Sequence, residues 1–232
     1  MDEHRHDHEH GQGHDRAPAH GEQQGERFDA ATQAARWDAR YSERDGTMWS
    51  GRPNGRLVAE VDGLAPGRAL DVGCGEGADA IWLARQGWSV TAIDISDVAL
   101  HRARDAAQQA GATVTWICGD ALRTPFPPRS FDLVSLQYPA LPKAAGNAAV
   151  QTLLDTLRPG GLLLAVYHDL DHDHRDEMRS HGTDPADYVD APDLAALLPA
   201  DFTLVRHTTS PRLDPPPDAR HIADVILRAT RH

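Results

Sequence analysis

Along the middle of this chain, short apolar runs alternate with longer stretches in which apolar positions recur every three or four residues. The runs are Ala69–Val72, Ser89–Ile93, Thr113–Cys118, Phe131–Leu136 and Leu162–Tyr167. Runs this short suit strands covered on both faces, and the stretches between them suit the crossover helices that parallel strands need. Helices are predicted at Gly77–Gln86, packing through Ile81 and Trp82; after Ser96 as N-cap, with an alanine stripe at Ala99, Ala103, Ala106 and Ala110; and at Asn147–Leu157, stopped by "RPGG". Upstream, Asp29–Arg44 reads as a helix with Trp37 and Tyr41 one turn apart, and Gly55–Gly63 as a short one carrying Leu57, Val58 and Val61. Ala191–Leu198 is the last helix. Phe202–His207 and Ala223–Arg228 then follow each other with no helix between them, which predicts antiparallel neighbours. The sum is an α/β fold: a seven-stranded, mostly parallel sheet with helices on both faces and an antiparallel C-terminal strand pair.

Composition divides the chain at one point. Residues 1–26 contain no large apolar side chain after the initiator Met and carry His4, His6, His8, His10, His14 and His20. Such a segment cannot bury enough surface to offset its ordering entropy, so it is expected to be a disordered, acidic, His-rich tail, with residues 27–232 as the folded domain. Its histidines would give weak, exchangeable Zn²⁺ or Ni²⁺ binding rather than a defined site. The net charge of −12 disfavours nucleic-acid backbones as partners. Two cysteines, Cys74 and Cys118, suggest no disulfide framework and fit a reducing cytoplasm. No apolar run approaches the roughly 18–20 residues of a membrane span. A cytoplasmic monomer is expected.

In an open parallel sheet, ligands bind beyond the carboxyl ends of the strands, so the residues just after each strand carry the chemistry. After the first run comes "DVGCGEGADA", with Gly73, Gly75 and Gly77. A phosphate loop would need Lys and Ser or Thr after the glycines, where Ala78, Asp79 and Ala80 stand. "GCGEGA" does match the dinucleotide pattern, and Asp94 lies near the spacing of a ribose-binding acid. Asp71, just ahead of the glycines, points the other way, because a carboxylate there repels a pyrophosphate and attracts an ammonium. Asp120 in "CGDA" supplies a second acid at a strand end, suited to an adenine amino group.

Taken together, "ALDVGCGEGADAIWLA", "VTAIDIS", "ICGDA", "FDLVSLQYPAL" and "LRPGGLLLAVYH" resemble the successive motifs of class I S-adenosylmethionine-dependent methyltransferases, over roughly Leu57–His168. The upstream "WDARYSERDGTMWSGRPN" is similar to a segment of the thiopurine S-methyltransferase and tellurite-resistance methyltransferase group. The resemblance implies a Rossmann-like fold and S-adenosylmethionine as cofactor. It implies a glycine turn (Gly73, Cys74, Gly75, Gly77) under the methionine part and Asp71 near the ammonium. Asp94 would hold the ribose, Ile95 would pack on adenine, and Asp120 and Ala121 would read its edge. Trp49, with Arg52 close by, would cover the cofactor, and Gln137 and Tyr138 would lie near the methyl. A small-molecule acceptor (thiol, metalloid oxyanion or another small nucleophile) would then be methylated by in-line displacement, with Tyr138 or His168 as base for an oxygen acceptor.

Bland roles compete. Asp94 could cap the following helix, Asp120 could be a turn aspartate, and Tyr138 a packed aromatic. Cys74 lacks a basic partner nearby in sequence, so its backbone matters more than its thiol. Trp37, Trp82, Trp88 and Trp116 read as core. A second His cluster, "YHDLDHDHRDEMRSHGTD", reads as an exposed loop forming an acceptor-side lid rather than a metal site. Two other functions stay open: an NAD(P)-dependent oxidoreductase, and a non-enzymatic metal-buffering protein on a methyltransferase fold.

Overall fold

Five of the apolar runs become parallel strands because crossover helices bury both of their faces. The structure, a computed structural model, describes residues 28–213, 215 and 221–232. The expected N-terminal tail and the domain boundary at residue 27 lie outside them. Strands β1 (Arg68–Val72), β2 (Ser89–Asp94), β3 (Thr115–Cys118), β4 (Phe131–Gln137), β5 (Leu157–His168), β6 (Phe202–Pro211) and β7 (Ala223–Arg231) form one sheet in the order β3-β2-β1-β4-β5-β7-β6. β1 to β5 are mutually parallel, and β7 runs antiparallel to both β5 and β6. Strand order therefore reverses between β1 and β4, and a ligand crevice belongs at the carboxyl ends of those two strands.

Helices α1 (Ala30–Ser42), α2 (Gly55–Val61), α3 (Ala78–Arg85), α4 (Asp97–Ala110), α5 (Asn147–Leu154), α6 (His172–Ser180) and α7 (Ala191–Ala196) surround the sheet. The two faces have separate cores. Leu70, Val72, Val134 and Leu136 pack with Val150, Leu153 and Leu154 of α5 and Leu194 of α7. On the other face, Ala69, Leu133 and Leu164 pack with Leu57 of α2 and Ala80 and Leu83 of α3. Strand alternation thus puts Asp71 on the α3 face, one step from the glycine turn.

Several sequence expectations are corrected by packing. α3 buries Ala80 and Leu83 fully; Trp82 packs half-buried against the same core as expected, and Ile81 is half-buried outside that packing. α4 buries Ala99, Leu100, Ala103 and Ala107 instead of an Ala106 and Ala110 stripe. α5 stops at Leu154, and "RPGG" lies inside β5, where Leu157 already pairs with Phe131 and Gly160 takes φ +79°. The register shift between Phe131 and Leu133 marks that stretch as a bulge. Among the four tryptophans read as core, only Trp88 is fully buried.

The segment after β5 is not a loop. Asp171 caps α6 by accepting from the His174 amide (2.9 Å), and Asp176 pairs with Arg179 along the exposed helix. No helix among the described residues is long and apolar enough to cross a membrane.

Candidate functional site

β1 ends where β2 lies alongside it, and the glycine turn is fastened to that neighbour. The Gly73 and Cys74 amides donate to the Ile93 carbonyl at 2.8 and 3.1 Å. The Gly75 amide donates to Asp94 Oδ2 at 2.8 Å, and the Gly77 amide to the Cys74 carbonyl at 2.9 Å. A phosphate cradle needs such amides turned outward. Here they are used within the chain. Gly75 and Gly77 also permit close approach: a Cβ on Gly75 would sit 2.9 Å from Tyr41 Oη, and one on Gly77 would sit 2.6 Å from the Trp116 ring.

Acidic groups crowd this turn. Asp71 is 1% exposed and its Oδ2 has no hydrogen-bond partner. Burial, then the nearby Asp79 and Asp94, push its carboxyl well above the usual range. Burial pushes Asp79 up to about 6, even though it accepts the Asn54 amide at 2.6 Å. Asp94 is raised by burial too, against the pull of the Ser96 and Gly75 amides. Three carboxyls held above their ordinary values around one turn suit a cationic ligand and oppose a pyrophosphate. The Cys74 thiol is likewise pushed well up by burial, so it is no thiolate nucleophile.

Around this floor the structure sets the other candidates. Asp94 Oδ1 accepts the Ser96 amide (2.9 Å), so Asp94 braces both the turn and the start of α4. Ile95, next in the chain, is half-buried, and so is Ala121. Asp120 makes the turn contact of an Asx motif, accepting the Leu122 amide at 2.9 Å, with Arg123 3.4 Å from its other oxygen. Gln137 donates to Ser135 at 3.0 Å and keeps a buried, unpartnered Oε1. Trp49 is 50% exposed, lies over Gly75, and donates to Tyr41 Oη at 3.1 Å.

Sequence reading missed the residue that holds Trp49 there. Glu76, 8% exposed, accepts the Met48 amide (2.9 Å) and the Trp49 amide (3.1 Å) and pairs with Arg102 at 2.9 Å. Arg102 in turn donates to the Tyr41 and Arg44 carbonyls, both at 2.9 Å. Glu76 stood inside "GCGEGA", but nothing local marked it as a bracket for a segment 27 residues away. Asp38 was missed for the same reason; it accepts from Ser96 Oγ at 2.6 Å. Glu76→Ala strands two amides and a guanidinium. Trypsin is expected to cut within residues 44–52 at least tenfold faster in that variant, scored by the rate of fragment appearance; an unchanged rate would refute the bracket.

On the far side of the crevice, Tyr138 and His168 stack with ring centroids 3.9 Å apart and planes within 12°. His221 stacks on His168 at 4.3 Å, and His174 of α6 lies 4.6 Å beyond. Tyr138 Oη donates to Asp224 Oδ1 at 2.9 Å. Burial, with the charges of His221, Arg212 and His174, pushes His168 down to about 3, which leaves it a neutral ring with little appetite for a proton. Among the described residues no group of three or more His, Cys, Asp or Glu is placed to hold a metal ion.

Residues 69–161, from β1 into β5, match the family described as methyltransferase domain. The methyltransferase GfsG of Streptomyces halstedii is 32% identical over 111 residues, 47% of this chain and 40% of the relative. The 27-O-demethylrifamycin SV methyltransferase of Amycolatopsis mediterranei is 35% identical over 115 residues, covering 47% and 42%. The chain thus spans about two fifths of the length of these curated relatives. A protein solved in work on the conversion of a disulfide bond into a thioacetal group during echinomycin biosynthesis shares the fold, with a TM-score of 0.68 at 24% identity over 86% of this chain and 91% of that one. Residues 69–161 of this chain thus resemble a methyltransferase domain, and such domains take S-adenosylmethionine as their cofactor.

Proposed function

We propose that the whole chain, built around this methyltransferase domain, moves a methyl group from S-adenosylmethionine to a small-molecule acceptor. The observation that carries the reading is the carboxylate-lined turn whose own amides are already bonded. Asp71 Oδ2 is buried without a partner, as a carboxylate awaiting an ammonium would be. The residues fit the cofactor's other parts: Asp94 accepts from adjacent ribose hydroxyls, Ile95 and Ala121 flank the adenine, Asp120 takes its amino group, and Trp49 closes above the glycine turn. Gln137 and Tyr138, at the end of β4, stand on the acceptor side with His168. When bound, the cofactor supplies an activated methyl on a sulfonium. The chain's task is to align the acceptor and exclude water. The acceptor is a thiol, a metalloid oxyanion or another small nucleophile, and the segment at Trp49 resembles the thiopurine and tellurite-resistance group.

Titration calorimetry with S-adenosylhomocysteine tests the reading. The sign of its pH dependence follows from the acids. An ammonium in the site favours ionised Asp71 and Asp79, whose carboxyls burial holds high, so binding must expel protons when they are protonated. Affinity is therefore expected to weaken severalfold as pH falls from 7.5 through about 6 to 5, with proton release visible as buffer-dependent heat. No binding at high micromolar ligand would sink the reading. Binding that is flat across this range would remove the acids from it.

A further inference from the structure

We infer that Tyr138 and Asp224 form a two-residue proton relay, and that the acceptor is therefore methylated on a hydroxyl oxygen. The inference rests on the methyltransferase reading and narrows its acceptor class. β7 is antiparallel to β5, so its first residues lie at the carboxyl edge of the parallel strands; Asp224 is the partner of His168 in that pairing. Asp224 is 0% exposed, and its Oδ2 has no hydrogen-bond partner. Tyr138 adopts φ +53°, a left-handed conformation that a side chain other than glycine takes only under local constraint. Its amide donates to the Val166 carbonyl at 2.7 Å, and its ring is fixed by the His168 stack on one side and by Arg212, whose guanidinium lies 5.3 Å from the centroid. The strained backbone thus holds a phenol whose proton points at a buried carboxylate and whose oxygen can accept from a neighbour or a ligand.

The surrounding groups come from several elements: Asn54 and Arg56 at the start of α2, His168 from β5, Arg212 after β6 and His221 before β7. Asn54 faces the Tyr138 hydroxyl, and Arg56 Nε nearby is buried without a partner, a donor an oxygen ligand could use. Burial holds the Asp224 carboxyl above its usual range despite the Tyr138 hydrogen bond and the two arginines, so it accepts a proton more readily than an exposed aspartate. A thiol ionises enough near neutrality to react unaided, and an amine attacks through its free lone pair. An alcohol or phenol is a poor nucleophile until its proton leaves. In the step, the acceptor oxygen forms its bond to the methyl carbon as that carbon's bond to sulfur breaks, and the electron pair stays on sulfur. The acceptor proton passes to Tyr138 Oη while the Tyr138 proton passes to Asp224, which ends neutral and later returns a proton to solvent.

The test uses the full chain, S-adenosylmethionine, and phenols paired with thiophenols of the same ring, with products read by mass spectrometry. Wild type is expected to methylate phenols with a rate that falls on the acidic side. Tyr138→Phe and Asp224→Asn are expected to slow phenol methylation by about 10²–10³-fold, at least thirtyfold more than any thiophenol methylation, and Asp224→Asn to lose the acidic limb. S-adenosylhomocysteine affinity within threefold of wild type certifies the variant fold. Should Asp224→Asn not fold, Tyr138→Phe carries the comparison alone. A wild type that binds S-adenosylhomocysteine yet methylates no phenol, or variants that slow both acceptors equally, overturns the relay while leaving the methyltransferase reading intact. Loss of S-adenosylhomocysteine binding by wild type overturns both.

Discussion

Asp94→Ala is expected to weaken S-adenosylhomocysteine binding by at least a hundredfold. Two effects add. The carboxylate is the proposed acceptor for both ribose hydroxyls, and hydrogen bonds to a charged group contribute about 1.5–3 kcal/mol each. Asp94 also satisfies the Gly75 amide at 2.8 Å and the Ser96 amide at 2.9 Å, so its removal loosens the turn proposed as the cofactor floor. Asp120→Ala is the contrast. Its carboxylate braces a local Asx turn and contacts Arg123, and it would contribute one adenine hydrogen bond, so a loss of about tenfold is expected. Calorimetry on the three proteins decides. If Asp94→Ala binds within threefold of wild type, the acid at the end of β2 is structural and the ribose lies elsewhere.

The largest stability loss is expected at Gly77→Ala. An added Cβ would meet the Trp116 ring at 2.6 Å and the Ala103 Cβ at 2.9 Å, at a residue whose φ is +82°. A left-handed non-glycine residue costs about 1–2 kcal/mol, and overpacking adds about 1–3 kcal/mol. A loss of about 3–4 kcal/mol, or very roughly 8–12 °C in melting temperature, follows for a domain of this size. Gly73→Ala isolates the backbone part: φ is +70°, but the new Cβ meets nothing within 4 Å, so about 1–2 kcal/mol is expected. Trp116→Phe in the Gly77→Ala background should recover part of the difference. Equal losses at the two glycines, measured by urea unfolding, would show that packing under α3 is not the constraint.

How far the sequence could be read differs between these two glycines. The pattern GCGEGA announced a tight turn and a helix start, and three left-handed glycines are there. It did not say which glycine is crowded, because Trp116 and Ala103 reach Gly77 from β3 and α4. Asp94 and Asp120 were legible because each follows an apolar run, and Asp71 because it stands at the end of one just before the glycines; strand ends are where an open sheet collects its chemistry. Asp224 was not. It precedes a run near the end of the chain, and only the reversed direction of β7 brings its start to the same edge as the ends of β1, β4 and β5. Glu76 was invisible for a similar reason: its partners Met48, Trp49 and Arg102 are distant in sequence. The His-rich stretch after β5 misled because polar composition reads as loop, whereas the Asp171 cap and pairs one turn apart make α6.

By itself, then, the sequence determined the seven strands, their parallel core, the antiparallel finish and two of the acids at the glycine turn, Asp71 and Asp94; Asp79, the third, was not singled out. All of these follow from local periodicity and from strand-end position, which are properties of neighbouring residues. Only the tertiary structure decided that the turn's amides are bonded to β2, that Glu76 holds Trp49 over Gly75, and that Asp224 backs Tyr138. Each of these is a contact between segments far apart in the chain, fixed by strand order and direction. Sequence patterns report what a residue buries, and not which distant group it meets when buried.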